Sequence, residues 1–296
     1  MVAESILCIR SLWGSLLNAE LLRIIKTLNT KFLVRAVIVI LALTAIALTI
    51  ISLLLPYLLP RGPSFGPTPL PPTILAPRGE LPSGLVGLEE WSQAHGQAYE
   101  LIGSGFLLRL SESEVVGVTT AHSVWMLGTP NNSLERIAFH IAGQDTYVAE
   151  FDTLYGQPGV AFKNLNLAMD YVLLKLDQPI DESLALTPDP RGAPQPGERV
   201  ALFSGLGDGQ GGRRELAGTV QSVDAQGIWV VMDEVFDPGR MSGSPLISQH
   251  TGQVIGMAIA ATYQGDRLYI GFHPIGNIIR IAAAANQFPK IAEYRR

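Results

Sequence analysis

Cysteine is almost missing from this sequence. Cys8 is the only one, and it precedes the long apolar run of the chain, so no internal disulfide can brace the residues beyond that run. Their core must hold together unaided. Positive charge is short where most of the chain lies: residues 1–88 carry 7 Lys and Arg against 3 Asp and Glu, while residues 89–296 carry 14 against 23. That acidic balance argues against a nucleic-acid partner. Metal-ligand spacing is missing too. His95, His140, His250 and His273 form no HExxH or other short cluster, so no metal is expected. Residues 205–212, GLGDGQGG, lack the Gly-Lys-Ser/Thr ending of a phosphate loop and read as a connection between strands, so no cofactor is expected.

What the sequence does have is one uninterrupted apolar stretch. Ala36 to Leu59 is 24 residues without a charge, above the roughly 20 needed to cross a ~30 Å hydrocarbon layer. Pro56 falls near its end, where a bilayer helix tolerates it. Arg10, Arg23, Lys26, Lys31 and Arg35 precede the stretch, against Glu4 and Glu20, and basic residues are retained on the cytoplasmic side. The expectation is a single-pass membrane protein. Its cytoplasmic segment is 1–35, its transmembrane helix 36–59, and the remainder is periplasmic or extracellular. A cleaved signal peptide is the rival reading, but such peptides have shorter basic and apolar regions, and no Ala-x-Ala site follows. Within the first 31 residues, Leu16, Leu17, Leu21, Leu22, Ile24 and Ile25 would line one face of an amphipathic helix on the inner surface; a poorly structured tail is the alternative.

Residues 60–88 form a linker rich in Pro and Gly, PRGPSFGPTPLPPTILAPRGELPSG over 60–84. Such a segment sustains neither helix nor sheet and reads as a semi-extended spacer. From 89 to 296 short apolar runs alternate with turns: GSGFLLRL, VVGVTTA, RIAFHIA, TYVAEF, YVLLKL, RVALFSGL, GTVQSV, GIWVVM, SPLIS, QVIGMAIAA and LYIGF. Strand-length runs at this spacing indicate an all-β domain. Only 274–287, with Ile278, Ile279 and Ile281 followed by alanines, reads as a helix that closes the domain.

Hydrolysing a peptide requires a nucleophile, a base, a carboxylate that holds the base, and donors for the oxyanion. Residues of these types stand at strand boundaries. His122 ends Thr119-Thr120-Ala121-His122 after an apolar strand, Asp170 opens the YVLLKL strand, and Ser242 lies in Met241-Ser242-Gly243-Ser244-Pro245 before another strand.

Taken together, these motifs resemble those of the trypsin-like, chymotrypsin-fold serine proteases, above all the cysteine-poor bacterial branch of Deg-type and glutamyl-endopeptidase-like enzymes. GSGF at 103–106 resembles the family's opening strand, TTAH its histidine motif, MDYVLLKL its aspartate motif and SGSP its serine motif, while IGFHPIGNIIRI resembles the strand leading into the last helix. The resemblance implies two six-stranded antiparallel barrels with a C-terminal helix. It implies Ser242 as nucleophile, His122 as general base and Asp170 as its orienting carboxylate. It also implies an oxyanion hole made by the backbone N–H groups of Arg240 and Ser242, with Arg240 standing where the family usually has glycine. The substrate pocket falls to Phe236, six residues before the serine, and to Ala258, Ile259 and Ala260. These supply no charge and favour a small or medium apolar side chain. The strand after the serine lacks the hydroxyl that supports the aspartate in many relatives, Thr262 being the nearest. The expected function is a membrane-anchored serine endopeptidase acting on protein or peptide substrates. The alternative is a latent or degenerate module of the same fold that binds a protein partner, with self-association or an activating partner left open.

Overall fold

The computed structural model describes residues 30–58, 63–82, 85–206 and 215–295, in two units that divide after Arg61. In the first, helix α1 spans Thr30–Leu58, 29 residues. The hydroxyls of Thr44 and Thr49 donate to the carbonyls of Ile40 and Ala45 at 2.8 Å, so these polar groups are satisfied within the helix itself. Every described side chain from Val37 to Ile51 is exposed. Among the described residues no helix is long and apolar enough to cross a membrane; the described side chains run unbroken only over 37–51, shorter than a span requires. The amphipathic stretch before residue 30 and Cys8 lie outside the described residues.

The second unit is all-β. Its first half contains β1 (Leu88–Ala94), β2 (Tyr99–Ser111), β3 (Glu114–Thr119), β4 (Leu134–His140), β5 (Tyr147–Phe151), β6 (Val172–Lys175) and the short β7 (Ala185–Leu186). They form one sheet in the order β5-β4-β1-β2-β3-β6, with β7 added to β2. Its second half is a closed barrel of β8 (Arg199–Phe203), β9 (Glu215–Val223), β10 (Ile228–Met232), β11 (Pro245–Ser248), β12 (Val254–Gln264) and β13 (Arg267–Pro274). The expectation of two six-stranded barrels therefore needs correcting for the first half, which has seven strands and no continuous closing ladder. Past β5 the chain meets β6 at the single bridge Leu154↔Leu174, where Tyr155 N–H donates to Leu173 O and Lys175 N–H to Thr153 O, while on its opposite edge Asp152, Leu154 and Gly156 bond to the C-terminal tail at Ile291, Pro289 and Gln287.

Leu107, Ile137, Phe139, Phe151 and Leu174 fill the first half, and Val200, Leu202, Val230, Ile255 and Phe272 the second. A further cluster joins Phe106, Val118 and Leu173 of the first half to Met257 and Ile259 of the second and to Ile275 and Ile278 of helix α2 (Ile275–Ala283). This shared layer is where the chemistry-bearing loops meet. The helix ends four residues before the expected Gln287, because the tail beyond it is drawn into the pairing with 152–156. β1 is a strand that apolar pattern did not signal, since LEEWSQA carries adjacent acids, one of which, Glu90, is fully buried.

The described proline-rich residues 63–82 carry no helix or strand, yet they do not run free. Phe65 stacks on Tyr269 with centroids 4.1 Å apart, and Gln221 donates to the carbonyls of Gly66 and Pro67. His250 Nε2 meets Ala76 O at 2.7 Å, and Gly79 N–H donates to His250 O at 2.9 Å. The backbone is so close at Gly197 that a Cβ there would lie 1.9 Å from Leu70 O. This part of the expected spacer is instead a strap along the second barrel.

Candidate active site

The end of β3 and the start of β6 bring His122 and Asp170 together. Asp170 is completely buried and its carboxylate accepts four N–H groups. Oδ1 takes Ala121 N at 2.7 Å and His122 N at 3.2 Å, while Oδ2 takes His122 Nδ1 at 2.8 Å and Phe162 N at 3.0 Å. A carboxylate can only accept, so the proton of this pair sits on Nδ1, leaving Nε2 as the basic edge of the ring. Three backbone donors hold the carboxylate, and among the described residues no hydroxyl bonds to it. His273 of β13 adds a contact from Nδ1 to Asp170 O at 3.4 Å, and burial depresses its imidazole to about 4. It is a neutral ring at neutral pH.

Ser242 belongs to a different piece of chain, the loop between β10 and β11. Pro238 O accepts Met241 N–H at 3.2 Å, closing a turn in which Arg240 has φ +62°. Arg240 itself takes the left-handed conformation, at about 1–2 kcal/mol for a side chain with a Cβ. Met241 beneath it is buried in the second barrel. Among the described residues, neither the Arg240 N–H nor the Ser242 N–H has an acceptor, so two backbone donors stand unengaged at the turn. Ser242 Oγ donates weakly to Ile259 O at 3.3 Å; among the described residues no hydrogen bond joins it to His122.

The turn is held to the first half of the domain by β2. Ser104 N–H donates to Ser242 O at 2.9 Å, and Ser104 Oγ donates to Arg240 O at 3.0 Å. Gly243, at φ +94°, is pressed so closely on this strand that an added Cβ would lie 1.8 Å from Ser104 O and 3.1 Å from Thr119 Oγ1. Thr119 is three residues before His122, so the serine turn and the His122–Asp170 pair share a wall. In the sequence Ser104 and Thr119 stand only as parts of the GSGF and TTAH motifs, and Glu90 belongs to no motif.

The expected pocket residues divide. Phe236 is half-buried against the second-barrel core, with its carbonyl accepting from Tyr263 OH at 3.3 Å. Ala258 is committed to the serine loop through Gly243 N to Ala258 O and Ala258 N to Ser244 O. Ile259 sits at a register shift in the β12–β13 ladder, and pairing resumes at Ala260. β11 pairs with β12 only as far as Met257, so past the Ala258 contacts the backbone edge of β12 faces outward. Of the nearby acids, Asp233 pairs with Arg199 and Asp237 accepts Gly239 N–H.

A closed barrel and a seven-stranded sheet joined along a His–Asp pair and a serine loop define a two-part β-domain of the hydrolase type. A family model described as "Trypsin-like peptidase domain" matches residues 103–257, and the chain belongs to that family of peptidases. Among solved structures it is similar to the thermostable serine protease AL20 from an extremophilic microorganism, at 12% identity over 68% of this chain and 97% of that one, TM-score 0.48. It is also similar to Deg5, at 17% identity over 67% and 88%, TM-score 0.45. A third likeness is to catalytically active tobacco etch virus protease complexed with product, at 15% identity over 75% and 87%, TM-score 0.43. Comparison with curated protein sequences gives no match.

Proposed function

We propose that the protein is a membrane-anchored serine endopeptidase that cleaves through an acyl-enzyme, with Ser242 as nucleophile, His122 as general base and acid, and Asp170 as the orienting carboxylate. The observation that carries this reading is the buried Asp170 bonded to His122 Nδ1, which leaves Nε2 free to take a proton. In the reaction, Ser242 Oγ turns from Ile259 O towards His122, loses its proton to Nε2 and attacks the scissile carbonyl. The developing oxyanion takes up the Arg240 and Ser242 N–H groups, a contribution of about 3 kcal/mol for one such donor. His122 then protonates the leaving amine, and a water deprotonated by the same ring releases the acyl group.

The outward edge of β12 from Ala260 suits an extended peptide added as a strand. The neutral walls at Phe236, Ile259 and Ala260 favour an apolar side chain before the cleaved bond. The anchor is the charge-free run 36–59; its described side chains, 37–51, are exposed, and its internally bonded threonines fit a lipid environment. The basic residues before it favour a cytoplasmic N-terminus and a bacterial periplasmic or extracellular domain.

A second reading, a latent enzyme or partner-binding module, draws on one contact: Ser242 Oγ rests on Ile259 O rather than on His122. Labelling the full chain in detergent with a fluorophosphonate probe, beside Ser242→Ala, separates the two. Labelling lost in the mutant is the expected result; no labelling of the folded wild type would move the reading to the latent module.

A further inference from the structure

Thr119 Oγ1 lies 2.6 Å from Glu90 Oε2 and 3.0 Å from Ser104 O, yet a hydroxyl has one proton. Both contacts can be full hydrogen bonds at once only if the Thr119 proton goes to the Ser104 carbonyl, which can only accept. The shorter contact is then a hydrogen bond only if the proton comes from Glu90, as a carboxylic acid. Ionised Glu90 would instead claim the Thr119 proton and leave Ser104 O facing a lone pair. Its other oxygen, Oε1, is buried without a partner, a tolerable state for a neutral carbonyl and a costly one for an anion.

Ser104 is the residue that ties down the serine turn, through Ser242 O and Arg240 O. Resting on the reading of Ser242 as nucleophile, we propose that neutral Glu90 is a positioning residue: through Thr119 and Ser104 it holds the Arg240–Ser242 turn in register, and its ionisation releases that turn and ends activity at alkaline pH. Gly103 on β2, Thr119 on β3 and Phe139 on β4 face Glu90, together with Ser123 after His122. None is charged, and His122 and Asp170 pair with each other. Burial raises the Glu90 carboxyl to about 8, and a Thr119 proton turned onto the carboxylate, the arrangement that strips Ser104 O of its donor, is what would lower it. An anion three hydrogen bonds from the turn that receives an oxyanion would also oppose the reaction itself.

The test is the pH profile of fluorophosphonate labelling of the full chain in detergent, read beside the amide signals of Arg240 and Ser242 by NMR. Wild type should lose labelling as pH rises through about 8, with both amides shifting at the same midpoint. Glu90→Gln, whose amide can donate to Thr119 as the acid does, should lose that alkaline limb and that shift while keeping the acid limb. Thr119→Val should label poorly at every pH, with Thr119→Ser restoring it. An alkaline limb and amide shift that persist in Glu90→Gln, or equal losses in the two Thr119 variants, would overturn the proposal. If neither wild type nor Glu90→Gln labels at any pH, it is the reading of Ser242 that fails, and the amide shifts alone decide the role of Glu90.

Discussion

The two halves of the candidate site are built by opposite means. His122 and Asp170 are fixed by a buried carboxylate with four donors, three of them backbone groups of the same half. The serine turn has a left-handed arginine, two unengaged N–H groups and a hydroxyl resting on Ile259 O; its main tie to the first half is one serine. One half is preorganised by local hydrogen bonding. The other is conformationally expensive and depends on a neighbour, which is where activity can be lost without loss of the fold.

The largest effect should come from the rigid half. Asp170→Asn keeps the shape but presents an amide to Nδ1, favouring the wrong tautomer, and kcat should fall by about 10⁴ in a steady-state peptide assay. A fall of tenfold or less would mean that the three backbone donors alone orient His122.

Next come the opposite pH failures of the halves. His273, bonded to Asp170 O, is depressed to about 4 from 6.5, so the unfolded chain takes up its proton first and stability is lost as pH falls from 6.5 to 4. Glu90 is raised to about 8 from 4.5, so the unfolded chain releases its proton first and stability is lost as pH rises from 4.5 to 8. Urea unfolding across this range should show the alkaline decline shrinking by a few kcal/mol in Glu90→Gln, with the acid decline unchanged. Identical curves would place no folding-linked proton on Glu90.

Removing the tie is a smaller insult. Ser104→Ala deletes the bond to Arg240 O but leaves the backbone bond to Ser242 O, and should lower kcat/KM by about tenfold to a hundredfold. KM alone moving would assign Ser104 to substrate binding instead. The smallest expected change is a gain: Arg240→Gly relieves the left-handed arginine and should raise stability by about 1 kcal/mol, a Tm rise of a few degrees by calorimetry. A loss would show that the arginine side chain makes a stabilising contact of its own.

The strand pattern, the closing helix, the order His122, Asp170, Ser242 and the position of the apolar stretch were all legible in the sequence. Period-two burial, a long charge-free run and residue types at strand ends are local properties written in order along the chain. The sequence alone left the conformation of the Arg240 turn open, and it gave no apolar signal for β1, where Glu89 and Glu90 stand side by side. The docking of 63–82 was equally hidden, since proline-rich chain looks the same bound or free. These were decided by tertiary structure. The left-handed turn, the protonated Glu90 and the strap each exist because groups far apart in sequence, such as Ser104 and Arg240, Glu90 and Thr119, or Phe65 and Tyr269, close on one another. The energy of a buried acid or a strained turn depends on those partners and not on its neighbours along the chain.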